Sequence, residues 1–219
     1  MHDAKCRFLV GQRGSGKSTL MAQLMKGEKR LIVTTTVPRD FRRGFIQCTT
    51  VTQVRDALRA NWQKGFKICL RMDHHDIEDQ VGPVRDLHNL SILLRQVQDN
   101  YVRDIDTRRI HLYVDEITRQ FPHTRPRGMD GFKWAILEGR NWGIDITVAT
   151  QRPTLLPPDY RDNVDDLFVL SVGGDSALDS VVQYVGRGYR DRVRDLPKYQ
   201  YLHFVGGQLI GQKSTKIAP

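Results

Sequence analysis

Residues 11–18 read Gly-Gln-Arg-Gly-Ser-Gly-Lys-Ser, and this stretch decides the fold class. It matches the Walker A pattern G-x-x-x-x-G-K-[ST], with a β-prone apolar run before it at 5–10 and a helical run after it at 17–27. The glycines let the backbone adopt a positive φ and pass close to phosphate oxygens. Successive N–H groups then converge at the positive end of a helix dipole. The stretch therefore predicts a loop that cradles the phosphates of a nucleoside triphosphate.

This loop supplies the predicted nucleotide contacts, with ATP and Mg²⁺ as the expected ligands. Lys17 is expected to place its charge against the β- and γ-phosphates, and the Ser18 hydroxyl to ligate Mg²⁺. The full set of predicted contacts is Gly11, Gln12, Arg13, Gly14, Ser15, Gly16, Lys17, Ser18 and Thr19. The alternative interpretation is a glycine-rich turn that happens to precede a helix.

A second motif is acidic. Residues 110–116, Ile-His-Leu-Tyr-Val-Asp-Glu, form an apolar strand pattern that ends in two carboxylates, as a Walker B strand does. We expect Asp115 to hold Mg²⁺ through water and Glu116 to position and deprotonate the attacking water. Asp-Glu rather than Asp alone favours a hydrolase over a small-molecule kinase or a signalling GTPase. An ordinary strand ending in an acidic turn is the alternative.

An amide and an arginine complete the predicted catalytic set. Gln151 follows a strand predicted at 144–149, where an amide can sense the γ-phosphate or orient the water. Arg140 is the predicted arginine finger, with Arg13 and Arg152 as further candidates, and such a finger often comes from a neighbouring subunit. The alternatives are a polar strand-end residue for Gln151 and a solvated or DNA-facing charge for each arginine.

Composition limits the class of protein. The chain has 219 residues, of which 39% are hydrophobic and 27% charged, so we expect one soluble globular domain. The net charge of +9 suggests a polyanionic partner, either nucleic acid or an acidic membrane surface. The polar N-terminus lacks a signal-peptide core, and no apolar run approaches the roughly 18 residues of a membrane span. We therefore expect neither a signal peptide nor a transmembrane segment.

Cysteine and histidine usage gives little support to a metal site. The three cysteines lie in apolar runs, which indicates buried, reduced thiols and a cytosolic compartment, and no C-x-x-C spacing supports a zinc site. Residues 73–76 read Asp-His-His-Asp, which are metal-ligand residue types without a supporting spacing. We interpret this run as a solvated turn.

A basic loop is the candidate DNA contact. Within residues 119–129, Arg119, Arg125 and Arg127 lie in sequence near Phe121, and mobile basic residues beside an aromatic suit phosphate-backbone contact. The alternative is an exposed loop that its two prolines make stiff.

Strand and helix patterns alternate along the chain, which predicts an α/β fold with a mostly parallel central sheet flanked by helices. The predicted strands are 5–10, 30–37, 45–49, 66–71, 110–114, 144–149 and 167–172, and a Gly-Gly hairpin is predicted at 206–207. The predicted helices are 17–27, 53–63 with Thr50 or Thr52 as its cap, 87–101, 130–140 and one after Asp175. We expect a single domain over 1–212 and a loose tail over 213–219. Ligands of such sheets bind beyond the carboxyl ends of the strands, where all three motifs fall.

Together the motifs resemble the FtsK–HerA superfamily of DNA-pumping ATPases over roughly residues 5–172. The resemblance rests on 11–18, 110–116, Gly139-Arg-Asn-Trp-Gly-Ile144 and Thr150-Gln-Arg-Pro153. The most discriminating part is an arginine, a short spacer, a β-strand and then Thr-Gln-Arg-Pro. The compact length is similar to that of genome-packaging ATPases of membrane-containing double-stranded DNA viruses and phages.

This resemblance implies an added-strand, RecA/FtsK-like P-loop NTPase core and a homo-oligomeric ring, usually hexameric, around double-stranded DNA. It implies the roles given above for Lys17, Ser18, Asp115 and Glu116, with Gln151 as sensor and an arginine supplied across the subunit interface. The implied function is ATP-driven DNA translocation by a viral genome-packaging motor, in the host cytoplasm and at the packaging vertex of the virion, with capsid or membrane proteins as partners. The alternatives are an assembly or secretion ATPase of the filamentous-phage type, and a nucleotide-dependent switch or small-molecule kinase.

Overall fold

A β-sheet forms the centre of the computed structural model, which describes residues 4–76, 78–155, 160 and 162–215. Within those residues the sheet has nine strands in the spatial order β3-β4-β2-β5-β6-β1-β7-β8-β9. The strands are β1 Cys6–Val10, β2 Arg30–Thr35, β3 Ile46–Cys48, β4 Phe66–Arg71, β5 Ile110–Val114, β6 Ile144–Thr150, β7 Asp166–Leu170, β8 Gln200–Val205 and β9 Gln208–Ser214.

The pairing is parallel from β3 across to β7, and β8 and β9 extend the sheet as an antiparallel hairpin. The prediction of a mostly parallel sheet is confirmed. Strand β6 lies between β1 and β5, so the strand before the glycine-rich loop and the strand before the acidic pair are not neighbours. That inserted strand is what an added-strand core requires.

Helices cover both faces of the sheet, as predicted. In the described part of the chain the α-helices are α1 Lys17–Leu24, α2 Val51–Asn61, α3 Gly82–Val97, α4 Asp99–Val102, α5 Ile117–Gln120, α6 Gly131–Glu138, α7 Asp175–Val185 and α8 Arg190–Arg194. Leu20 and Met21 of α1 belong to the core on one face, with Leu9, while residues of α2, α3, α6 and α7 belong to the core on the other face, with Phe8. Each fully buried side chain of this size contributes roughly 1.5–3 kcal/mol to folding.

Several helix boundaries differ from those expected. Helix α1 ends before Gly27, which has a φ of 91° that favours glycine. Helix α3 begins at Gly82 rather than at 87, because Pro83 suits the first turn of a helix. Thr50 caps α2, since its hydroxyl accepts a hydrogen bond from the N–H of Gln53. A short helix, α5, occupies the first residues of the predicted basic loop.

The predicted C-terminal tail needs correction. Lys213 and Ser214 belong to β9, and Thr215 is buried and donates its backbone N–H to the carbonyl of Tyr199 at 2.8 Å. Pairing with β8 extends the ordered chain past 213, while residues 216–219 lie outside the described part. All three cysteines are buried and free, as expected. Among the described residues, no helix has the length and apolarity needed to cross a membrane.

Candidate nucleotide-binding site

The glycine-rich loop lies at the carboxyl ends of the central strands. The N–H of Gly11 donates to the carbonyl of Thr150 at the end of β6, at 3.2 Å. The N–H of Gln12 donates to the carbonyl of Ser171, just after β7, at 2.8 Å. These bonds continue the pairing of β1 with both neighbours for one more residue on each side. The loop is therefore held by two strands before it turns into α1.

Two glycines make that turn possible. Gly14 and Gly16 have φ values of 73° and 106°, and Gly16 is the N-cap of α1. Because glycine has no side chain to accept from the first-turn N–H groups, those donors are open to phosphate oxygens. A Cβ at Gly16 would lie 2.7 Å from Thr215 Oγ1, and one at Gly11 would lie 2.6 Å from Ser15 Oγ. Only glycine fits at either position without moving its neighbours.

Lys17 connects the loop to the acidic pair. Its Nζ donates to the carbonyl oxygens of Gly11 and Gln12, at 2.6 and 3.0 Å. Burial lowers the pKa of Lys17, and the nearby charges of Glu116 and Asp115 act in the opposite direction. One ammonium thus faces two carboxylates across the end of the sheet, and the structure brings these three predicted residues together.

Asp115 is a partly buried carboxylate just after the end of β5. Thr35 Oγ1 donates to its Oδ2 at 2.9 Å. Burial raises the pKa of Asp115; the Thr35 hydrogen bond and Lys17 lower it, and Glu116 and Asp40 raise it further. A divalent cation beside Asp115 would favour its charged form. Ser18, exposed in the first turn of α1, offers a hydroxyl as a second oxygen donor. This all-oxygen donor set fits Mg²⁺.

Glu116 is held in an unusual backbone conformation. Its φ of 49° is left-handed, which costs a non-glycine residue about 1–2 kcal/mol. Its Oε1 accepts hydrogen bonds from Thr118 Oγ1 at 2.7 Å and from Thr150 Oγ1 at 3.0 Å. Two hydroxyls from different segments thus fix the carboxylate at the junction of β5 and β6. Residues kept in such strained conformations cluster at functional sites.

Gln151 opens onto the same space as Glu116. A cavity of about 400 Å³ is lined by Glu116, Thr118, Arg119, Gln151 and Arg152. Gln151 is exposed, because β6 ends at Thr150 and the chain then leaves the sheet. The predicted sensor and the predicted base therefore share one cavity.

Several supporting side chains have no counterpart in the predictions. Gln120 is fully buried; its Nε2 donates to the carbonyl of Asp115, and its Oε1 accepts from Thr34 Oγ1, each at 2.6 Å. These bonds lock the turn that carries the acidic pair. The threonines at the end of β2 could have been noticed in the sequence, since hydroxyls at the carboxyl edge of a sheet can hold site residues. Nothing in the sequence around Gln120 indicates its role.

The C-terminal hairpin also reaches the loop. Gln23 of α1 donates its Nε2 to the carbonyl of Thr215 at 2.9 Å, and Thr215 Oγ1 donates to the carbonyl of Tyr199 at 3.1 Å. Tyr199 has a φ of 68°, and its ring lies against Gly16. The segment expected to be a loose tail therefore forms one wall of the glycine-rich loop.

Solved structures with the same architecture include the genome packaging NTPase B204 from Sulfolobus turreted icosahedral virus 2, in complex with sulfate. It matches with a TM-score of 0.71 and 18% identity, covering 100% of this chain and 99% of that one. The chain has the fold of a viral genome-packaging NTPase. VirB4 of Thermoanaerobacter pseudethanolicus shares this P-loop NTPase fold, with a TM-score of 0.64 and 13% identity over 97% of this chain and 90% of that one.

A further match to this packaging-NTPase fold is the pCW3 conjugation coupling protein TcpA, in its monomer form with ATPgS. Its TM-score is 0.64 at 13% identity, over 97% of this chain and 60% of that one. No protein-family model and no curated protein matches the sequence. The likeness is therefore one of fold, and it confirms the fold class predicted from the motifs.

Arg140 lies away from the chain's own loop. It occupies the turn Gly139–Trp142 ahead of β6, and its Nη2 pairs with Asp165 Oδ1 at 2.6 Å, ahead of β7. Both positions belong to the amino ends of the strands, whereas the glycine-rich loop follows the carboxyl end of β1. Arg140 is exposed there and is not brought together with Lys17.

The three arginines of the basic loop differ in their surroundings. Arg125 stacks over the Phe121 ring, 4.1 Å from its centroid, and its Nη2 pairs with Asp130 Oδ1 at 2.6 Å, leaving its side chain 13% exposed. Arg119 lines the cavity of Glu116, and Arg127 is exposed. The structure thus ties Arg125 to its own loop, and its contact with DNA stays a prediction.

Changing Gly16 to alanine should weaken nucleotide binding. The new Cβ would strain a left-handed backbone and collide with Thr215. We expect Gly16→Ala to weaken binding of a fluorescent ATP analogue at least about tenfold, a loss of about 1.4 kcal/mol. The control is Gly27→Ala, which has the same sign of φ but no atom within 4 Å of the added Cβ. Gly27→Ala should lower stability yet bind the analogue normally, and equal binding by both variants would contradict this interpretation.

Proposed function

We propose that the chain is an ATPase that drives translocation of double-stranded DNA, as a subunit of a viral genome-packaging motor. The observation that carries the proposal is the arrangement of Lys17, Asp115 and Glu116 around one glycine-rich loop. The fold supports it, since B204, described as a genome packaging NTPase, was solved with ATP-gammaS and with AMPPCP.

Hydrolysis is assigned to Glu116 and its neighbours. Thr118 and Thr150 bind Oε1, so the other carboxylate oxygen can accept a proton from an attacking water in the shared cavity. Gln151 lies in that cavity and can orient the same water. Lys17 would exchange carbonyl partners for β- and γ-phosphate oxygens. When bound, Mg²⁺ at Ser18 and Asp115 would neutralise charge that develops on the phosphates.

In a ring of identical subunits, Arg140 of one subunit would serve as the arginine finger of the next. Arg140 lies at the amino edge of the sheet, away from the chain's own loop, so as a finger it would have to act on the nucleotide site of a neighbouring subunit. An arginine that enters a neighbour's site stabilises the charge of the transition state. We therefore assign the chain to a homo-oligomeric ring, with six subunits as the expected number.

DNA binding is assigned to phosphate contacts. A packaging motor must grip DNA of any sequence, so contacts from Lys and Arg to the backbone should dominate. The net charge of +9 supports such contacts, and the exposed Arg127 and the partly buried Arg119 are the candidate groups. The expected partners are a capsid vertex or membrane proteins, in the host cytoplasm and the virion.

Replacing Glu116 with glutamine should separate nucleotide binding from hydrolysis. The amide preserves the shape but cannot take a proton, so turnover should fall about 10²–10⁴-fold while ATP affinity stays near that of the wild type. Steady-state phosphate release and binding of an ATP analogue measure the two quantities. The matched control is Asp56→Asn, on the exposed surface of α2. Normal turnover by Glu116→Gln would show that another group is the base.

Double-stranded DNA should stimulate ATP hydrolysis, and DNA affinity should fall steeply as salt rises. Arg127→Ala should weaken binding equally for all sequences and reduce the log–log salt slope by about 0.9 for each phosphate that is no longer neutralised. Arg125→Ala should instead lower the melting temperature, since Arg125 packs on Phe121. Arg103→Ala removes an equal charge from the opposite edge of the sheet and serves as the control. If DNA does not change the rate of ATP hydrolysis and DNA affinity does not depend on salt, the chain is not a DNA motor.

Mixing two inactive variants tests whether Arg140 acts on a neighbour. Arg140→Ala should bind ATP but lose about 10³-fold in turnover, whereas Lys17→Ala lacks a working nucleotide site. In mixed rings the intact nucleotide site of an Arg140→Ala subunit can receive Arg140 from a neighbouring Lys17→Ala subunit. Turnover by the mixture should therefore rise well above that of either variant alone. Thermal melting checks that loss of the Asp165 ion pair leaves Arg140→Ala folded. A mixture as inactive as its components would assign Arg140 a structural role.

A further inference from the structure

Two histidines and a carboxylate converge between the loop after β4 and the second turn of α3. One ligand atom each from His74, His75 and Asp86 lies within 4.8 Å of the other two. His75 Nε2 lies 2.7 Å from Asp86 Oδ2, and His74 Nε2 lies 4.0 Å from the same oxygen. The prediction of a solvated turn is wrong for His75, whose side chain is 8% exposed. Asp86 follows in the next helix, so no spacing within 73–76 reveals the cluster.

The distances suit a metal ion at the centre of the cluster. Zn²⁺ bonds to nitrogen and oxygen are about 2.0–2.2 Å, so two ligands of a tetrahedral site lie about 3.3 Å apart. The two observed distances from Asp86 Oδ2, 2.7 and 4.0 Å, bracket that value. Imidazole nitrogen and carboxylate oxygen are ligands that Zn²⁺ accepts. Coordination of one ion by all three groups would change these two distances by roughly 0.6–0.7 Å and would close the gap between the two histidines by up to roughly 1.5 Å.

A fourth residue orients His75 for this role. Asp79 Oδ2 lies 3.2 Å from His75 Nδ1, on the side of the ring away from Asp86. Asp79 Oδ1 is itself fixed by the N–H groups of Gly82 and Val81, at 2.8 and 3.0 Å, and these bonds lower the pKa of Asp79. A carboxylate on one imidazole nitrogen directs the other toward a metal, as in carboxylate–histidine–zinc triads. Asp79 and Asp86 thus hold His75 from both sides.

Packing keeps the ring in that orientation. Gly82, the first residue of α3, lies so close to His75 Nδ1 and Asp79 Oδ2 that a Cβ would collide with both. The ring of His74 packs against His75, tilted by 37°, with 4.1 Å between centroids. Asp86 Oδ2 is thus the common partner of both histidines, either in an ion-pair network or as ligands of one metal ion. A shared metal ion accounts for all three groups.

We propose that His74, His75 and Asp86 bind a divalent transition-metal ion of the Zn²⁺ type, with Asp79 orienting His75 and water completing the coordination. The ion would pin the loop after β4 to the start of α3. That loop also touches the candidate DNA contact, since Arg119 donates to the carbonyl of Asp76 at 3.2 Å. The site is separate from the nucleotide-binding residues and does not depend on the proposed function.

Metal content and binding test the site directly. The full chain is purified without a histidine tag, stripped with chelator and titrated with ZnCl₂ by calorimetry, with excess Mg²⁺ and no nucleotide. We expect one equivalent of Zn²⁺ and a higher melting temperature that chelator reverses. The stripped protein titrated with Co²⁺ should give the visible absorption of a tetrahedral site. A content well below one equivalent, with no change in melting, would overturn the proposal.

Variants assign the ligands. Asp79→Asn should cost about 10–100-fold in Zn²⁺ affinity, as loss of an orienting carboxylate does, and His74→Ala and Asp86→Asn should cost more. His74 is half-exposed, so His74→Ala keeps the test valid even if His75→Ala does not fold. The control His123→Ala removes an exposed histidine and should bind Zn²⁺ normally. Unchanged affinity in both His74→Ala and Asp86→Asn would show that the cluster is an ion-pair network only.

Discussion

The parallel pairing of β1 between β6 and β7 is the constraint on which the site depends. Strand β1 is buried on both faces, and its last hydrogen bonds, from Gly11 to Thr150 and from Gln12 to Ser171, extend into the glycine-rich loop. The loop therefore begins from a fixed point, and its positive-φ glycines need only redirect the chain into α1. The first-turn N–H groups of α1 consequently face the edge at which β5 and β6 also end.

Charge at that edge is balanced within a small space. Lys17 faces Asp115 and Glu116, and each carboxylate is further held by threonine hydroxyls from β2, β6 and the turn after β5. Burial alone would raise the pKa of Asp115, so its charged form depends on these partners and on a cation beside it. The position of the Glu116 carboxylate, by contrast, is fixed by a strained backbone and by two hydroxyl groups. Two adjacent acidic residues thus have different surroundings, which suits them to different roles.

Elements far apart in sequence close the site. The β8–β9 hairpin brings Thr215 against Gly16, and the loop after β4 touches Arg119 through the carbonyl of Asp76. A metal ion held by His74, His75 and Asp86 would make that second contact rigid, because it ties the loop to α3. The nucleotide cavity and the candidate DNA contact would then share a stiffened support on one side.

The sequence by itself determined the fold class, the glycine-rich loop, the acidic pair and the place of Gln151, because each depends on residues a few positions apart. Strand alternation likewise identified the parallel sheet and the edge at which the three motifs gather. Only the tertiary structure decided that Arg125 is held on Phe121, that Arg140 lies at the other edge, and that Thr215 walls the loop. It also decided that His75 is buried beside Asp86. These depend on contacts between distant segments, which packing sets and local patterns do not record.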